Sequence, residues 1–195
     1  MKKMNKKDIF TIPNIICYLR ILIIPLFMYI YLTAENPRDY LIAAIIVLLS
    51  SVSDLFDGMI ARKFNQVTEL GKILDPVADK MNHFAILLCL AIRYKIMRLV
   101  IVVMVIKEAY MLFNGLYFLK RGKMMDGAMW YGKVCTAISF ISLFTLFLVY
   151  DMPLKYVSLI AIIMIISMIF TLVMYIRLYH NMRLELIKET ESDCE

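Results

Sequence analysis

The sequence predicts an all-α polytopic membrane protein with six transmembrane helices and a short N-terminal interfacial segment. Three observations lead to that fold class. The chain is 62% hydrophobic with a mean hydropathy of +0.75, far above what a soluble domain carries. It has only six glycines and five prolines in 195 residues, too few for a loop-rich fold. Its Lys and Arg residues stand mainly at the ends of apolar runs. In a soluble protein a net charge of +6 would point to nucleic acid; here its placement points to membrane topology, and no nucleic-acid partner is expected. One membrane domain is expected over residues 13–179, between a basic segment at 1–12 and a polar tail at 180–195.

The elements follow in order. Residues 1–12, MKKMNKKDIFTI, combine lysines with Ile9, Phe10 and Ile12, the make-up of a short segment lying on an anionic surface. A signal peptide would begin similarly. However, the following apolar run is long, is interrupted by Arg20 and ends without a small-residue cleavage site, so it is read as mature structure. The first transmembrane helix is expected from Pro13 to Thr33, with Pro13 in its first turn. Arg20 inside it needs a partner, a snorkel to the surface or a lipid phosphate. Glu35-Asn36-Pro37-Arg38 makes the turn into helix two, Asp39–Arg62. Helix three is expected over Glu69–Arg93, helix four over Ile96–Leu119, helix five over Trp130–Tyr150 and helix six over Leu154–Tyr179. The tail, ending ETESDCE, is expected to be disordered. Cysteines 17, 89, 135 and 194 have no ligand spacing and are read as packing residues, with Cys194 in the tail.

Six helices place both termini on one side. Assigning that side to the cytoplasm puts most of the Lys and Arg there, which predicts a cell-membrane protein with its site at the cytoplasmic face. One loop opposes this assignment: Arg93, Lys95 and Arg98 fall on the external side. No internal repeat is visible, which weakens a transporter built from inverted halves.

The chemically unusual stretch runs from Asp54 to Asp79 and reads Asp54-x2-Asp57-Gly58-x2-Ala61-Arg62-x8-Gly71-x3-Asp75-x3-Asp79. Four carboxylates in an apolar chain oppose insertion by on the order of 10 kcal/mol unless something compensates them, and a cation is the obvious compensation. With both flanks helical, Asp54 and Asp57 share one face, and Gly71, Asp75 and Asp79 form an i, i+4, i+8 stripe. Two such helices facing across the polar turn 65–68 would gather hard oxygen ligands that suit Mg²⁺ or Mn²⁺, and two adjacent divalent ions assist phosphoryl-type displacement. Gly58, Ala61 and Gly71 lack bulk, so a ligand or backbone can come close.

This pattern resembles, position for position, the signature of the CDP-alcohol phosphotransferases, with all eight fixed residues and the eight-residue gap present. The resemblance implies an enzyme that displaces CMP from a CDP-linked lipid with an alcohol hydroxyl. It implies that Asp54, Asp57 and Asp75 hold two divalent ions, Mg²⁺ or Mn²⁺, with Asp79 a further ligand and the general base. It also implies that Asp54, Gly58, Ala61, Arg62 and Gly71 line the CDP-lipid site, and that the protein is a homodimer. Within the family, Pro13-Asn14, the run Thr68-x-Leu70-Gly71-x2-Leu74-Asp75-Pro76-x-Ala78-Asp79-Lys80 and Gly132-Lys133-Val134-x-Thr136 look like bacterial phosphatidylglycerophosphate synthases. These act on CDP-diacylglycerol and glycerol 3-phosphate. CMP-forming cardiolipin synthases share much of the pattern and use phosphatidylglycerol. A divalent-metal transporter is the remote alternative, and it does not require Gly58, Ala61, Arg62 and Gly71 in this order.

A smaller polar set lies in the second half. Lys107 and Glu108 interrupt helix four, where the family pattern has Arg-Glu, and Lys120, Arg121 and Lys123 precede Trp130-Tyr131-Gly132-Lys133. Lys107, Arg121 and Lys133 are the candidates for holding an acceptor phosphate; ordinary cytoplasmic basic loops are the alternative for the loop cations. His83, four residues past Asp79, extends the site or packs as a hydrogen-bonded histidine, the second being preferred. Lys80 reaches a phosphate or pairs with a carboxylate. Ser50, Ser51 and Ser53 are read as bonding to backbone or easing helix packing, and the 16 methionines as apolar filler.

Overall fold

The computed structural model describes residues 11–63, 69–121 and 129–192, with side chains described except at 12–13, 53–63, 69–76, 120 and 187–192. The interfacial segment, apart from its last two residues, and Cys194 lie outside the described residues. Among the described residues there are six α-helices: α1 Ile12–Leu32, α2 Pro37–Lys63, α3 Glu69–Arg93, α4 Ile96–Lys120, α5 Trp130–Leu148 and α6 Leu154–Ser192. Among the described residues there is no strand.

Local chemistry explains the ends. α1 carries proline in its first turn, where the missing N–H costs nothing. It closes where the backbone N–H and hydroxyl of Thr33 both donate to the Tyr29 carbonyl, at 3.0 and 2.7 Å. Asn36 caps α2: the Asp39 carboxylate reaches back to accept from the Asn36 N–H at 3.1 Å, half of a capping box. The start of α2 at Pro37 is therefore two residues earlier than the sequence reading placed it. Tyr94 and Lys95 connect α3 to α4, with the Met97 N–H donating to the Tyr94 carbonyl at 3.0 Å.

The chain divides into two compact units, Met1–Arg93 with Leu143–Met152, and Tyr94–Ser142 with Pro153–Glu195. In the first, α1 packs against both α2 and α3. Ala43, Ala44 and Ala78 are fully buried, and such small side chains let helices approach closely where no water drives association. The end of α5 joins this unit through aromatic contacts. Phe147 stacks on Tyr31 at 4.3 Å and meets Phe27 edge-on at 6.0 Å, while Tyr40 stacks on Tyr150 at 4.6 Å. The Arg93 guanidinium lies 5.1 Å from the Tyr40 ring and 4.6 Å from that of Tyr150. In the second unit α4 packs on α6 around a core of Phe118, Tyr131, Tyr175 and Tyr179. Cys17, Cys89 and Cys135 are buried, the packing role their apolar settings led one to expect.

Two expectations change. By length and composition, among the described residues three helices rather than six qualify as membrane spans: Asn14–Leu32, Trp130–Leu148 and Leu154–Leu186. The other three carry the aspartate motif or the Lys107-Glu108 pair. The second change concerns α6, which continues past Tyr179 to Ser192. The end of an apolar run is not the end of a helix: residues 180–192 contain Leu, Met, Glu, Lys and Arg and neither Gly nor Pro, a composition that propagates a helix into water.

Candidate functional site

Both flanks of the aspartate motif are helical in backbone, α2 through Lys63 and α3 from Glu69. Asp54 and Asp57 therefore stand about one turn apart on α2, and Gly71, Asp75 and Asp79 succeed one another at one-turn intervals on α3. The side chains of Asp54, Asp57, Ala61, Arg62 and Asp75 lie outside the described residues, as do the surroundings of Gly58 and Gly71 and the whole of residues 64–68, where the sequence reading placed a polar turn. Among the described residues no three His, Cys, Asp or Glu side chains group to share an ion, and Asp79 is the one motif carboxylate they include.

Asp79 has a side chain 43% exposed, backed by His83 one turn on. The His83 Nδ1 lies 3.1 Å from the Asp79 main-chain carbonyl and 3.6 Å from its Oδ1. A carbonyl only accepts, so in the Nδ1-protonated tautomer the ring donates to the Asp79 main chain. The ring is thus a buried histidine in contact with backbone, the reading the sequence preferred.

Further polar groups are buried in the same unit. Arg20 is 3% exposed, so it does not snorkel to the surface. Asn14, Ser50 and Asn82 are buried as well. The Ser50 hydroxyl, one turn before Asp54, and the Asn82 side-chain oxygen, three residues after Asp79, have no hydrogen-bond partner among the described residues. Two buried oxygens without partners, beside a run of carboxylates, fit a hydrated divalent ion, which takes oxygen ligands and keeps several waters. Ser51, by contrast, donates to the Val47 carbonyl at 2.9 Å, the backbone bond expected of it.

The acceptor candidates belong to the second unit. Lys107 is 8% exposed, and its Nζ is 2.9 Å from Glu108 Oε1, so a neighbouring carboxylate already compensates its charge. Arg121 and Lys133 are exposed. The Arg121 guanidinium lies 4.3 Å from the Tyr117 ring centroid, and that of Arg183 lies 5.3 Å from the same ring. Arg183 also donates to Asn114 Oδ1 at 2.7 Å, while Asn114 donates to the Tyr110 carbonyl at 2.8 Å. No described contact joins Lys107, Arg121 and Lys133 to one another.

Sequence reasoning missed Arg183 and Tyr175. Arg183 fell in the supposed tail, and its partner Asn114 is 69 residues away. Tyr175 is 1% exposed and explains a glycine: a Cβ on Gly132 would come within 2.7 Å of the Tyr175 hydroxyl. The Gly132-Lys133 pair is thus a tight approach followed by an exposed cation.

The described architecture is that of an all-helical membrane protein, and comparison with known proteins narrows the class. Residues 10–174 match the family model for CDP-alcohol phosphatidyltransferase, and the chain belongs to that family. It is similar to the CDP-diacylglycerol--glycerol-3-phosphate 3-phosphatidyltransferase of Aquifex aeolicus, at 33% identity over 135 residues, 68% of this chain and 73% of that protein. It is similar to the CMP-forming cardiolipin synthase of Streptomyces coelicolor, at 36% identity over 106 residues, 53% of this chain and 49% of that protein. A third relative, the CDP-diacylglycerol--glycerol-3-phosphate 3-phosphatidyltransferase of Wigglesworthia glossinidia brevipalpis, is 44% identical over 72 residues, 36% of this chain and 38% of that protein. The chain is thus a transferase of phospholipid synthesis that moves a phosphatidyl group from a CDP-linked lipid, in a family that uses divalent metal.

Proposed function

We propose that the phosphatidyl group of CDP-diacylglycerol is transferred to glycerol 3-phosphate, giving phosphatidylglycerophosphate and CMP. The observation that carries this reading is the complete eight-residue motif on two helical flanks, together with similarity to the Aquifex protein across 68% of this chain. The acceptor hydroxyl attacks the lipid-side phosphorus, a new P–O bond forms, the bond to CMP breaks, and the hydroxyl proton passes to Asp79. The partly exposed Asp79 carboxylate supports that role, since a base has to be reachable by the acceptor hydroxyl. Two divalent ions, Mg²⁺ or Mn²⁺, when held by Asp54, Asp57, Asp75 and Asp79, supply the positive charge that offsets the pyrophosphate and the leaving CMP. Arg62 counters phosphate charge, and Gly58, Ala61 and Gly71 leave room for the nucleotide. Arg121 and Lys133, both exposed, receive the acceptor phosphate; Lys107 is held by Glu108.

A second acceptor, phosphatidylglycerol, is favoured by the similarity to the Streptomyces protein and by that compensated Lys107. Purified chain supplied with labelled CDP-diacylglycerol, a panel of alcohols, and divalent ion added or withheld decides between them through CMP release. Turnover with phosphatidylglycerol but not glycerol 3-phosphate moves the acceptor to the lipid and leaves the motif chemistry in place. CMP release that ignores divalent ion in either case removes the metal assignment.

The same reading has all six helices crossing the cell membrane as a homodimer, with the motif at the cytoplasmic face. Supporting the extra spans, α2, α3 and α4 all expose apolar side chains, among them Leu48, Phe84 and Phe113. An Asn65→Cys variant of a cysteine-free chain, labelled by an impermeant reagent from outside intact cells, would reverse that orientation.

A further inference from the structure

Within the second unit, α5 and α6 run side by side and leave between them an apolar groove of about 390 Å³. Tyr131, Cys135 and Ile138 line it from one helix, and Ile163, Ser167 and Thr171 from the other. The pairing is antiparallel: the Thr171 hydroxyl is 3.5 Å from the Tyr131 carbonyl, and Cys135 Sγ is 3.9 Å from Ser167 Oγ. Three of these residues are nominally polar, yet their polar atoms are satisfied at home. Ser167 donates to the Met164 carbonyl at 2.8 Å and Thr171 to the Ser167 carbonyl at 2.8 Å. What they present to the groove is hydrocarbon, and their small size makes the concavity. A ligand with no hydrogen-bonding groups fills such a space without leaving a polar atom unpaired.

Both walls belong to helices long and apolar enough to cross a membrane, and the rim residues Val134, Ile166 and Phe170 are exposed. The lining on α5 spans residues 130–138, about 12 Å at 1.5 Å per residue, within one leaflet of a ~30 Å hydrocarbon core. Trp130, 65% exposed, marks one end, and exposed tryptophan is the usual residue at headgroup level. At that same end Arg177 is exposed. It follows Phe170 by two turns on the same face of α6, and helical side chains lean toward the N-terminus, back over the groove mouth. Hydrocarbon below an interfacial tryptophan and an outward guanidinium is the complement of an acyl chain below a phosphate.

We propose that the α5–α6 groove binds one acyl chain of an anionic glycerophospholipid of the surrounding bilayer, with Arg177 meeting its phosphate. This site does not depend on which alcohol is the acceptor. The test places purified full-length chain in phosphatidylcholine bilayers containing phosphatidylglycerol with a photoreactive diazirine in one acyl chain, then maps labelled residues by mass spectrometry. Labelling of the groove walls should exceed that of Ile162 and Ile169, exposed about a third of a turn round α6 from the groove, by about fivefold or more, and diazirine phosphatidylcholine should label the groove about fivefold less than the anionic probe. Ser167→Trp fills the floor and should remove groove labelling. Should that variant misfold, Arg177→Gln, away from the floor, should abolish the anionic preference while leaving the chain folded. Equal labelling of groove and Ile162 overturns the proposal in favour of ordinary boundary lipid. Efficient disulfide formation between copies carrying Ile166→Cys, with an unlabelled groove, overturns it in favour of an interface between copies.

Discussion

The two units deal with buried polarity in different ways. In the second, Lys107 closes on Glu108, Asn114 both donates to a carbonyl and accepts from Arg183, and Thr171 donates to the Ser167 carbonyl. In the first, Ser50 and Asn82 each bury an oxygen that finds no partner among the described residues, and Asp79 keeps much of its carboxylate exposed. An unsatisfied buried oxygen costs roughly 1–3 kcal/mol, a cost the second unit avoids throughout these three groups. The difference is in keeping with the proposed site: the three described polar groups of the second unit are already paired, whereas the first unit keeps bonding capacity that the proposed ligand would complete.

The sharpest way to break this comparison is at the motif. Asp57→Asn or Asp75→Asn keeps side-chain size but removes charge proposed to hold a divalent ion, so turnover should fall by about 100-fold or more, ~2.7 kcal/mol. CMP release near the unsubstituted rate, with metal limiting, would show that the first unit's carboxylates are not ligands. In the second unit Lys133→Gln should raise the apparent KM for glycerol 3-phosphate about tenfold and leave that for CDP-diacylglycerol unchanged, since one charge-assisted contact contributes roughly 1.5–3 kcal/mol. Lys107→Gln should behave otherwise. It leaves Glu108 without its partner, so both substrates and the thermal midpoint should suffer together, and Lys107→Arg should restore much of the loss. A change confined to the glycerol 3-phosphate KM in Lys107→Gln would return Lys107 to the acceptor pocket.

Glycines sharpen the contrast further. Tyr175 is held among Tyr131 and Tyr179, with ring centroids at 4.9 and 6.1 Å, so it cannot easily yield to a methyl group on Gly132. Gly132→Ala should therefore destabilise the chain by about 1–3 kcal/mol. Gly115 also lies in a helix, yet nothing stands within 4 Å of where its Cβ would be; Gly115→Ala should be neutral or stabilise by ~0.5–1 kcal/mol. Thermal unfolding in detergent measures both, and equal shifts would remove the packing account of Gly132.

Much of this was legible in the residues alone. The six helices and the motif follow from charge set in an apolar background, where each aspartate is conspicuous because it is costly. What stayed hidden depends on contacts between residues far apart in the chain: Tyr175 against Gly132, and Arg183 on Asn114 across 69 positions. The extent of α6 was hidden for another reason, since hydropathy marks where lipid ends and helix propensity marks where the helix does. His83 fell between, because i+4 spacing predicts its contact with Asp79 without saying whether packing or chemistry calls for it.

Arg93 yields a small expected effect and bears on the loop that contradicted the charge rule. Sequence reading counts it with Lys95 and Arg98 as a positive cluster on the external side. The structure separates it from them: its guanidinium lies near the rings of Tyr40 and Tyr150, 5.1 and 4.6 Å from their centroids, and those rings stack on each other at 4.6 Å. That arrangement joins the end of α3 to the start of α2 and to the segment after α5, all within the first unit. A cation held by aromatic faces inside a unit is a packing element, and its charge is already engaged when the loop chooses a side. Arg93→Gln should accordingly destabilise the chain by about 1 kcal/mol, read as a lower thermal midpoint, with orientation unchanged. Arg93→Lys should recover part of the loss, because an ammonium keeps the charge without the planar stacking. Orientation is read by impermeant labelling of Lys95→Cys in an otherwise cysteine-free chain, with and without Arg93→Gln. If removing Arg93 moved that cysteine from one side of the membrane to the other with no change in thermal midpoint, Arg93 would be a topological charge and the aromatic contacts incidental to it.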